Sequence, residues 1–324
     1  MLMKKIAVLT SGGDSQGMNA AIYAVVRMAL DNGLEVVGIE DGYQGLIAGS
    51  VVPMNAKSVD GIIHRGGTVL RTSRCLAMKT DEGQNKAYKT LVDNNIDGLV
   101  VIGGDGSFQG AKILATKFGV LTMGIPGTID NDLAYTDFTL GFDSAVNAVM
   151  QTIKMLRDTM SCNERSCVVE VMGRNCGDIA LHAGITSAAE MIIVPEVRCS
   201  FEEVVARLKY NLEHGKKDNI VVLAEGAGKA VEMEAKLKQA LPINLRSMVV
   251  GHLQRGGDAS YADRLLGVRM GEHAVQCLLD GKTSRVVGIR HDVIIDEDIV
   301  EALSKRKSFD LNLYNLANRL VNSY

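Results

Sequence analysis

Two carboxylates two residues apart, Asp130 and Asp132 in the segment Pro126-Gly127-Thr128-Ile129-Asp130-Asn131-Asp132, follow directly on the apolar run Leu121–Ile125. Close like charges repel, a cost that a plain turn has no need of. A carboxylate in such a place suits phosphoryl transfer to a hydroxyl, where one group takes the proton and neighbouring donors stabilise the moving group. Asp130 is the candidate base and Thr128 the candidate donor. Asx-turn and helix-cap chemistry is the competing account of the same residues.

Two glycine-rich turns stand upstream. Ser11-Gly12-Gly13-Asp14-Ser15-Gln16-Gly17 lies between the apolar run Ile6–Leu9 and the amphipathic stretch Ala20–Asp31. Gly103-Gly104-Asp105-Gly106-Ser107 follows Gly98–Ile102. Glycines between a strand and a helix let backbone N–H groups close on a phosphate, and the helix start adds a positive end. Asp105 is the candidate Mg²⁺ ligand, since Mg²⁺ takes one or two carboxylates together with phosphate oxygens. An Asx turn capping the next helix explains the same residue without a metal. Neither turn is a P-loop, because G-x-x-x-x-G-K-[ST] is absent. The spacing from Gly104 is G-x-G-x-x-x-G, which is not the dinucleotide fingerprint.

The remaining chemistry is cationic. Arg65 and Arg74 flank a Gly-rich stretch, Arg174 follows Met172-Gly173, and His252-Leu253-Gln254-Arg255 is bracketed by Gly251 and Gly256. Arg165 and Arg246 stand just ahead of expected strands. Scattered arginines are ordinarily solvated surface, but arginines beside glycines at strand ends set a planar fork against phosphate oxygens. His252 alone reads as a structural residue; three residues from Arg255 it also reads as a phosphate donor.

These groups need strand ends to hold them. Continuous apolar runs at Ile6–Leu9, Glu35–Ile39, Gly98–Ile102, Leu121–Ile125, Cys167–Val171, Met191–Val194, Ile220–Ala224, Met248–Gly251 and Val286–Ile289 predict strands buried on both faces. Helical patterns over Ala20–Asp31, Ser144–Asp158, Phe201–Glu213 and Tyr261–Leu279 alternate with them, and Gly33, Gly215 and Gly281 are placed as left-handed helix caps. The alternation predicts an α/β protein with mainly parallel sheets. Gly-rich strand ends occur early and again late, so two doubly wound, Rossmann-like lobes with the active site in the cleft between them fit better than one barrel. With aromatics at 4% and no Trp, the core must be aliphatic. A net charge of −3 argues against a general nucleic-acid binder. No apolar run reaches spanning length and the six cysteines form no C-x-x-C pair, so the expectation is a soluble, cytoplasmic protein with reduced thiols and no membrane partner.

Taken together, the segments LTSGGDSQGMNAAI, GYQGLIAG, IIHRGGT, GLVVIGGDGSFQGA, GIPGTIDND, EVMGRNCGDIAL, VVLAEGAG and GHLQRGGDASYADR resemble the bacterial ATP-dependent 6-phosphofructokinase family over essentially the whole chain. The resemblance implies an ATP-binding lobe over 1–140 plus 252–304 and a smaller fructose 6-phosphate lobe over 141–251 plus 305–324, in a homotetramer. It implies that Gly13, Tyr43, Arg74, Cys75, Gly104, Asp105, Gly106 and Ser107 bind ATP, with Mg²⁺ near Asp105. Asp130 would take the proton of the sugar 1-hydroxyl beside Thr128, Ile129 and Asp132, while Arg74 and Arg174 stabilise the transferring group. Met172, Gly173 and Glu225 would position the sugar. His252, Leu253, Gln254 and Arg255, with Arg165 and Arg246 of a neighbouring subunit, would hold its 6-phosphate.

Donor choice follows from the same resemblance. Pyrophosphate-dependent relatives place Asp at the position of Gly106 and Lys at that of Gly127, so two glycines favour ATP. Gln16 stands where Pro is usual, read as a change in loop stiffness. Arg27, Arg157, Glu190, Lys216 and Lys217 match effector residues, but Tyr23 and His214 replace Arg and Ala188 replaces Gly, which predicts intact catalysis with weakened regulation. The rival readings are a pyrophosphate-dependent enzyme, a kinase for an epimeric sugar phosphate such as tagatose 6-phosphate, a catalytically dead sugar-phosphate sensor, and an NAD-dependent dehydrogenase. Asp105 and Asp130 are both present, against the sensor, and the missing fingerprint counts against the dehydrogenase.

Overall fold

A computed structural model describes residues 3–321, so the outermost ends of the two expected domain ranges, 1–2 and 322–324, lie outside the described residues. The first half runs β1 (Lys5–Ser11), α1 (Met18–Asp31), β2 (Glu35–Ile39), α2 (Gly42–Ala48), β3 (Val51–Met54), α3 (Asp81–Asp93), β4 (Gly98–Gly103), α4 (Asp105–Phe118) and β5 (Leu121–Pro126). There follow α5 (Phe142–Ser161), β6 (Ser166–Val171), α6 (Asp178–Thr186), β7 (Met191–Ile193), α7 (Phe201–Glu213), β8 (Ile220–Ala224), α8 (Ala230–Ala240) and β9 (Leu245–Val249). The chain closes with α9 (Tyr261–Leu279), β10 (Arg285–Arg290), β11 (Val293–Asp298), α10 (Ile299–Ser304) and α11 (Leu311–Leu320).

It divides into two compact units, 1–129, 133–144 and 255–307 against 130–132, 145–254 and 308–324. The seven-stranded sheet of the first has the order β11-β10-β5-β4-β1-β2-β3. The four-stranded sheet of the second, β7-β8-β6-β9, is parallel throughout. In the first sheet only the edge strands β3 and β11 run antiparallel. This is the mixed α/β fold with mainly parallel sheets that the alternation predicted. Neither edge strand was anticipated, for a physical reason in each case. Pro53 lacks the N–H of a central strand, and β11 ends in three carboxylates, Asp296, Glu297 and Asp298. Both features are those of edges rather than buried runs.

Burial explains the period of the central strands. Ile6, Val8, Val100, Ile102, Met123 and Ile125 pack beneath α1 and α9 with Ile22, Val25, Met270 and Ala274. Their neighbours Ala7, Leu9, Leu99 and Val101 face Leu46, Leu91, Phe108 and Leu114. Each fully buried aliphatic side chain contributes about 1.5–3 kcal/mol relative to exposure. Gly271 of α9 lets that helix approach α1, because a Cβ there would lie 2.7 Å from the Cβ of Ala24. Gly33, Gly215 and Gly281 adopt the left-handed conformation expected of caps.

The expected strand Met248–Gly251 is displaced. The ladder instead pairs Leu245–Val249 with Ser166–Glu170 of β6, and Gly251 opens a short 3-10 turn, Gly251–Arg255, at φ 54°. As an edge strand β9 tolerates the charged Arg246, so its apolar run is a poor guide to its limits. All six cysteines are free thiols. Among the described residues no helix is long and apolar enough to cross a membrane.

Candidate functional site

In the first unit the register sets Ser11 beside Gly103 and Gly103 beside Pro126, so the carboxyl ends of β1, β4 and β5 lie in a row. That row carries the two glycine turns and the start of the Thr128 segment. The helices that follow begin at Gly17 (φ 88°) and Gly104, N-caps with no side chain to satisfy the helix-start N–H groups. Such starts suit an anion. Asp105 is exposed on the first turn of α4. A Cβ at neighbouring Gly106 would meet nothing within 4 Å, and one at Gly104 would meet only Thr128, at 3.9 Å. An open turn bearing a hard oxygen donor fits Mg²⁺ held together with phosphate oxygens.

Buried hydrogen bonds hold this row. Ser107 Oγ donates to Ser11 O (3.0 Å), and Tyr43 Oη donates to Ser107 O (2.7 Å). Tyr43 is 3% exposed and lies against Gly110, so it supports the start of α4 from below. Burial, then the nearby Cys75, pushes its phenol well above the usual range, leaving it a neutral donor at all working pH. Cys75 lies in the same unit with its Sγ 3.5 Å from Gln44 Oε1, and Arg74 beside it is exposed. Thr72 Oγ1 donates to Gly12 O (3.0 Å), which ties the Arg74 segment to the first turn.

Arg255 also belongs to the first turn. Its Nη1 donates to Asp14 O (2.5 Å), and a Cβ on Gly13 would stand 2.9 Å from that same nitrogen. Gln16 is fully buried and its Nε2 donates to Gly256 O (2.9 Å). Position 16 is therefore a cross-link between the first turn and the Arg255 segment, more than the change of stiffness expected from sequence.

In the second unit β6 lies between β8 and β9, and the ends of all three carry candidate residues. Met172 N donates to Gln254 Oε1 (3.1 Å), Arg174 N to Glu225 Oε1 (2.9 Å), and Glu225 N to Val171 O (2.9 Å). Gly173 sits at φ 131°, where a Cβ would lie 2.3 Å from Cys176 O. Only glycine makes that turn, and it delivers Arg174 Nε to 3.1 Å from Asp130 Oδ2. Asp130 is 1% exposed, whereas the Arg174 side chain is 58% exposed, so the pair joins a buried carboxylate to a guanidinium open to solvent. Asn131 Nδ2 donates to Asp178 Oδ2 (3.0 Å) and fixes the next residue of the loop. Ile129 is buried, and Asp132 shares the loop and the unit with Asp130. His252 and Leu253 are exposed on the 3-10 turn after β9.

Arg165 and Arg246 are not brought to this group. They stand at the amino ends of β6 and β9, where Cys167 pairs with Arg246, at the opposite end of the strands from Arg174.

Of the expected effector residues of the second unit, Arg157 and Lys216 converge on buried Glu190. Arg157 Nη2 approaches its carboxylate at 3.4 Å and Lys216 Nζ at 3.3 Å, while Ile220 N donates to it at 2.6 Å. Burial works to lower the Lys216 ammonium, but Asp218 and Glu190 outweigh it and raise it. Lys217 pairs with Glu164 at 2.8 Å. His214 stacks on Tyr210, ring centroids 4.0 Å apart, and Ala188 holds a left-handed φ of 49°. In the first unit Arg27 lies over the Tyr23 ring, 5.9 Å from its centroid.

A further group with metal-ligand chemistry, His273, Cys277 and Asp296, reads as an ion-pair network. Burial works to raise Asp296, but hydrogen bonds from Lys282, His273 and Arg285 outweigh it and hold the carboxyl well below its usual range. Two fixed cations on the only carboxylate oppose a metal ion there.

The phosphofructokinase family model matches residues 5–278. The ATP-dependent 6-phosphofructokinase of Clostridium botulinum (strain Alaska E43 / Type E3) is 54% identical over 319 residues, 98% of this chain and 99% of the relative. ATP-dependent 6-phosphofructokinase 1 of Clostridium perfringens (strain 13 / Type A) is 53% identical over 318 residues, with the same coverage. Among solved structures, phosphofructokinase from Saccharomyces cerevisiae superposes with a TM-score of 0.90 at 32% identity. That match covers 97% of this chain and 50% of the yeast chain, so this chain spans half its length. A pyrophosphate-dependent phosphofructokinase from Marinobacter aquaeolei shares the fold at a TM-score of 0.85 and 23% identity, over 96% of this chain and 86% of that one. The chain belongs to the phosphofructokinase family.

Proposed function

We propose that the protein transfers the γ-phosphoryl group of MgATP to the 1-hydroxyl of fructose 6-phosphate, giving fructose 1,6-bisphosphate and ADP. The observation that carries this reading is the buried Asp130 carboxylate with Arg174 Nε 3.1 Å from its Oδ2. Asp130 takes the proton from the attacking hydroxyl as the O–P bond forms. Thr128 and Asp132 flank it on one loop, and Arg174, with Arg74, meets negative charge on the transferring group. The glycine turns with Gly13, Gly104, Gly106 and Ser107 hold the nucleotide phosphates, with Tyr43 bracing the start of α4 and Cys75 as a further nucleotide contact. Asp105 holds Mg²⁺, which when bound neutralises charge on the phosphoryl oxygens.

For the sugar phosphate, Met172, Gly173 and Glu225 of the second unit orient the sugar and His252, with Leu253 and Gln254 on its turn, takes the 6-phosphate; Arg255, of the first unit, is assigned to the same phosphate by the family resemblance. The family resemblance implies a homotetramer, in which Arg165 and Arg246 would serve a neighbouring subunit. Their place at the far ends of the strands supports a role on a neighbouring subunit's sugar phosphate. ATP rather than pyrophosphate is the donor because positions 106 and 127 are both glycine; the fold itself does not discriminate, since a pyrophosphate-dependent protein shares it.

Purified protein with Mg²⁺ and fructose 6-phosphate is expected to consume ATP and to leave pyrophosphate untouched, followed by coupled detection of fructose 1,6-bisphosphate. Turnover with pyrophosphate would overturn the donor assignment, and no turnover with either would overturn the activity.

Regulation is the part of the reading most altered in this chain. Arg157 and Lys216 already serve Glu190, and His214 and Tyr23 offer an imidazole and a phenol where two guanidinium groups would bind an anion. Each charge-assisted bond forgone is worth about 1.5–3 kcal/mol. Phosphoenolpyruvate should therefore inhibit weakly in a steady-state titration; full cooperative inhibition at micromolar concentration would refute weakened regulation.

A further inference from the structure

Against the Pro126–Thr128 turn runs a second segment, Thr139–Gly141, whose Thr139 and Leu140 meet each of its three residues. Leu140 N donates to Pro126 O (2.8 Å), Thr139 Oγ1 donates to Thr128 O (2.6 Å), and Leu140 forms an isolated bridge with Gly127. Gly141, at φ 100°, closes on the first glycine turn, where a Cβ would lie 2.5 Å from Ser15 Cβ. This backing segment is itself held by one carboxylate. Asp263, 1% exposed on the first turn of α9, accepts Gly141 N at Oδ1 (2.8 Å). Its Oδ2 accepts both Ser144 N (2.8 Å) and Ser144 Oγ (2.5 Å). Ser144 Oγ in turn accepts Ser260 N (2.9 Å), and Ser260 Oγ caps α9 at Asp263 N (3.2 Å).

We propose that Asp263 is a positioning residue for phosphoryl transfer, clamping Thr139–Gly141 and through it the Thr128 turn; the proposal rests on the function proposed above. A neutral side chain would serve a merely structural cap as well. Burial pushes the Asp263 carboxyl up to about 6 against the pull of the Ser144 and Gly141 hydrogen bonds, with Asp143 adding repulsion. A raised carboxyl favours folding below its unfolded value and loses that contribution as pH climbs to about 6, so the charge present at neutral pH opposes stability. An ionised acceptor of three hydrogen bonds nonetheless fixes the geometry more tightly than an amide, whose nitrogen is a donor facing donors.

The test uses the full-length protein with Asp263→Asn and Thr139→Val, singly and combined, measuring kcat, both KM values, Tm and amide exchange. Each single variant should lower kcat about ten-fold with both KM values within about three-fold. The double variant should be no worse than the poorer single one, because both break one clamp. Thr139→Ser should recover most of the loss. Exchange at Leu140 and Gly141 should quicken at least about ten-fold in Asp263→Asn, with Val100 and Val101 unchanged. Should Asp263→Asn fail to fold, Ser144→Ala weakens the same clamp and must give the same split. Multiplying losses, an unchanged kcat, or unchanged exchange at Leu140 and Gly141 would each overturn the proposal. The exchange measurement stands apart from activity, so loss of the proposed reaction alone leaves a distinct signature.

Discussion

Asp130→Asn is expected to lower kcat by about 10³-fold, within the range usual for loss of a positioned base, while both KM values stay within a few-fold. The substitution keeps the volume and one acceptor oxygen of a side chain that is 1% exposed, so packing of the loop is little disturbed. What it removes is the capacity to accept a proton, together with the charge opposite Arg174. The effect falls on kcat because proton transfer belongs to the transition state, whereas the sugar is held by other residues. Arg174→Lys gives the internal control. It keeps a cation but loses the planar fork 3.1 Å from the carboxylate, so it should reduce kcat less than Asp130→Asn does. Stopped-flow or steady-state assays at saturating substrate read both. A kcat within ten-fold of the parent in Asp130→Asn would remove that residue from the role of base.

How far these residues could be recognised beforehand depended on whether their chemistry is local. Gly104, Asp105, Thr128 and Asp130 declare themselves because each follows an apolar run within a few residues, and parallel register then gathers the strand ends in space. The central strands were legible for the same reason, since burial on both faces leaves an unbroken apolar signature. Edges were not. β9 includes the charged Arg246 and β3 contains Pro53, so neither displays a continuous apolar run. The contacts missed act across long sequence separations, at Asp263, which the sequence left unremarked, and at Gln16, read there only as a change in loop stiffness. Asp263 lies 119 residues from Ser144 and Gln16 lies 240 from Gly256. The available signal was a polar residue within an otherwise apolar or glycine-rich neighbourhood, which sequence alone reads as solvated. Tyr43 shows the converse. The sequence resemblance marked it as touching the nucleotide, and it is nearly inaccessible, with its hydroxyl committed to the Ser107 carbonyl.

The second large effect concerns the donor. Gly106→Asp should lower kcat/KM for MgATP by about 10²-fold while Tm stays close to that of the parent. The steric side is favourable, because a Cβ at Gly106 meets nothing within 4 Å and the residue does not occupy a left-handed φ. Exposed substitutions of this kind change stability by about 0.5 kcal/mol or less. The electrostatic side is not favourable. A carboxylate about 5 Å from a phosphate charge costs roughly 3 kcal/mol at an effective dielectric of 20, and each 1.36 kcal/mol is about ten-fold in rate. The companion change, Gly127→Lys, is a poorer probe, since a Cβ there would stand 2.9 Å from Met18 Cε and 3.0 Å from Ile102 Cγ2. Its effect would mix crowding of a buried strand end with the added charge, and a fall in Tm would follow whatever the donor. Gly106→Asp separates the two. Lost ATP activity with intact Tm and unchanged KM for fructose 6-phosphate places residue 106 beside the triphosphate. ATP turnover retained within about three-fold would place the nucleotide elsewhere and remove the basis for reading donor choice from these glycines.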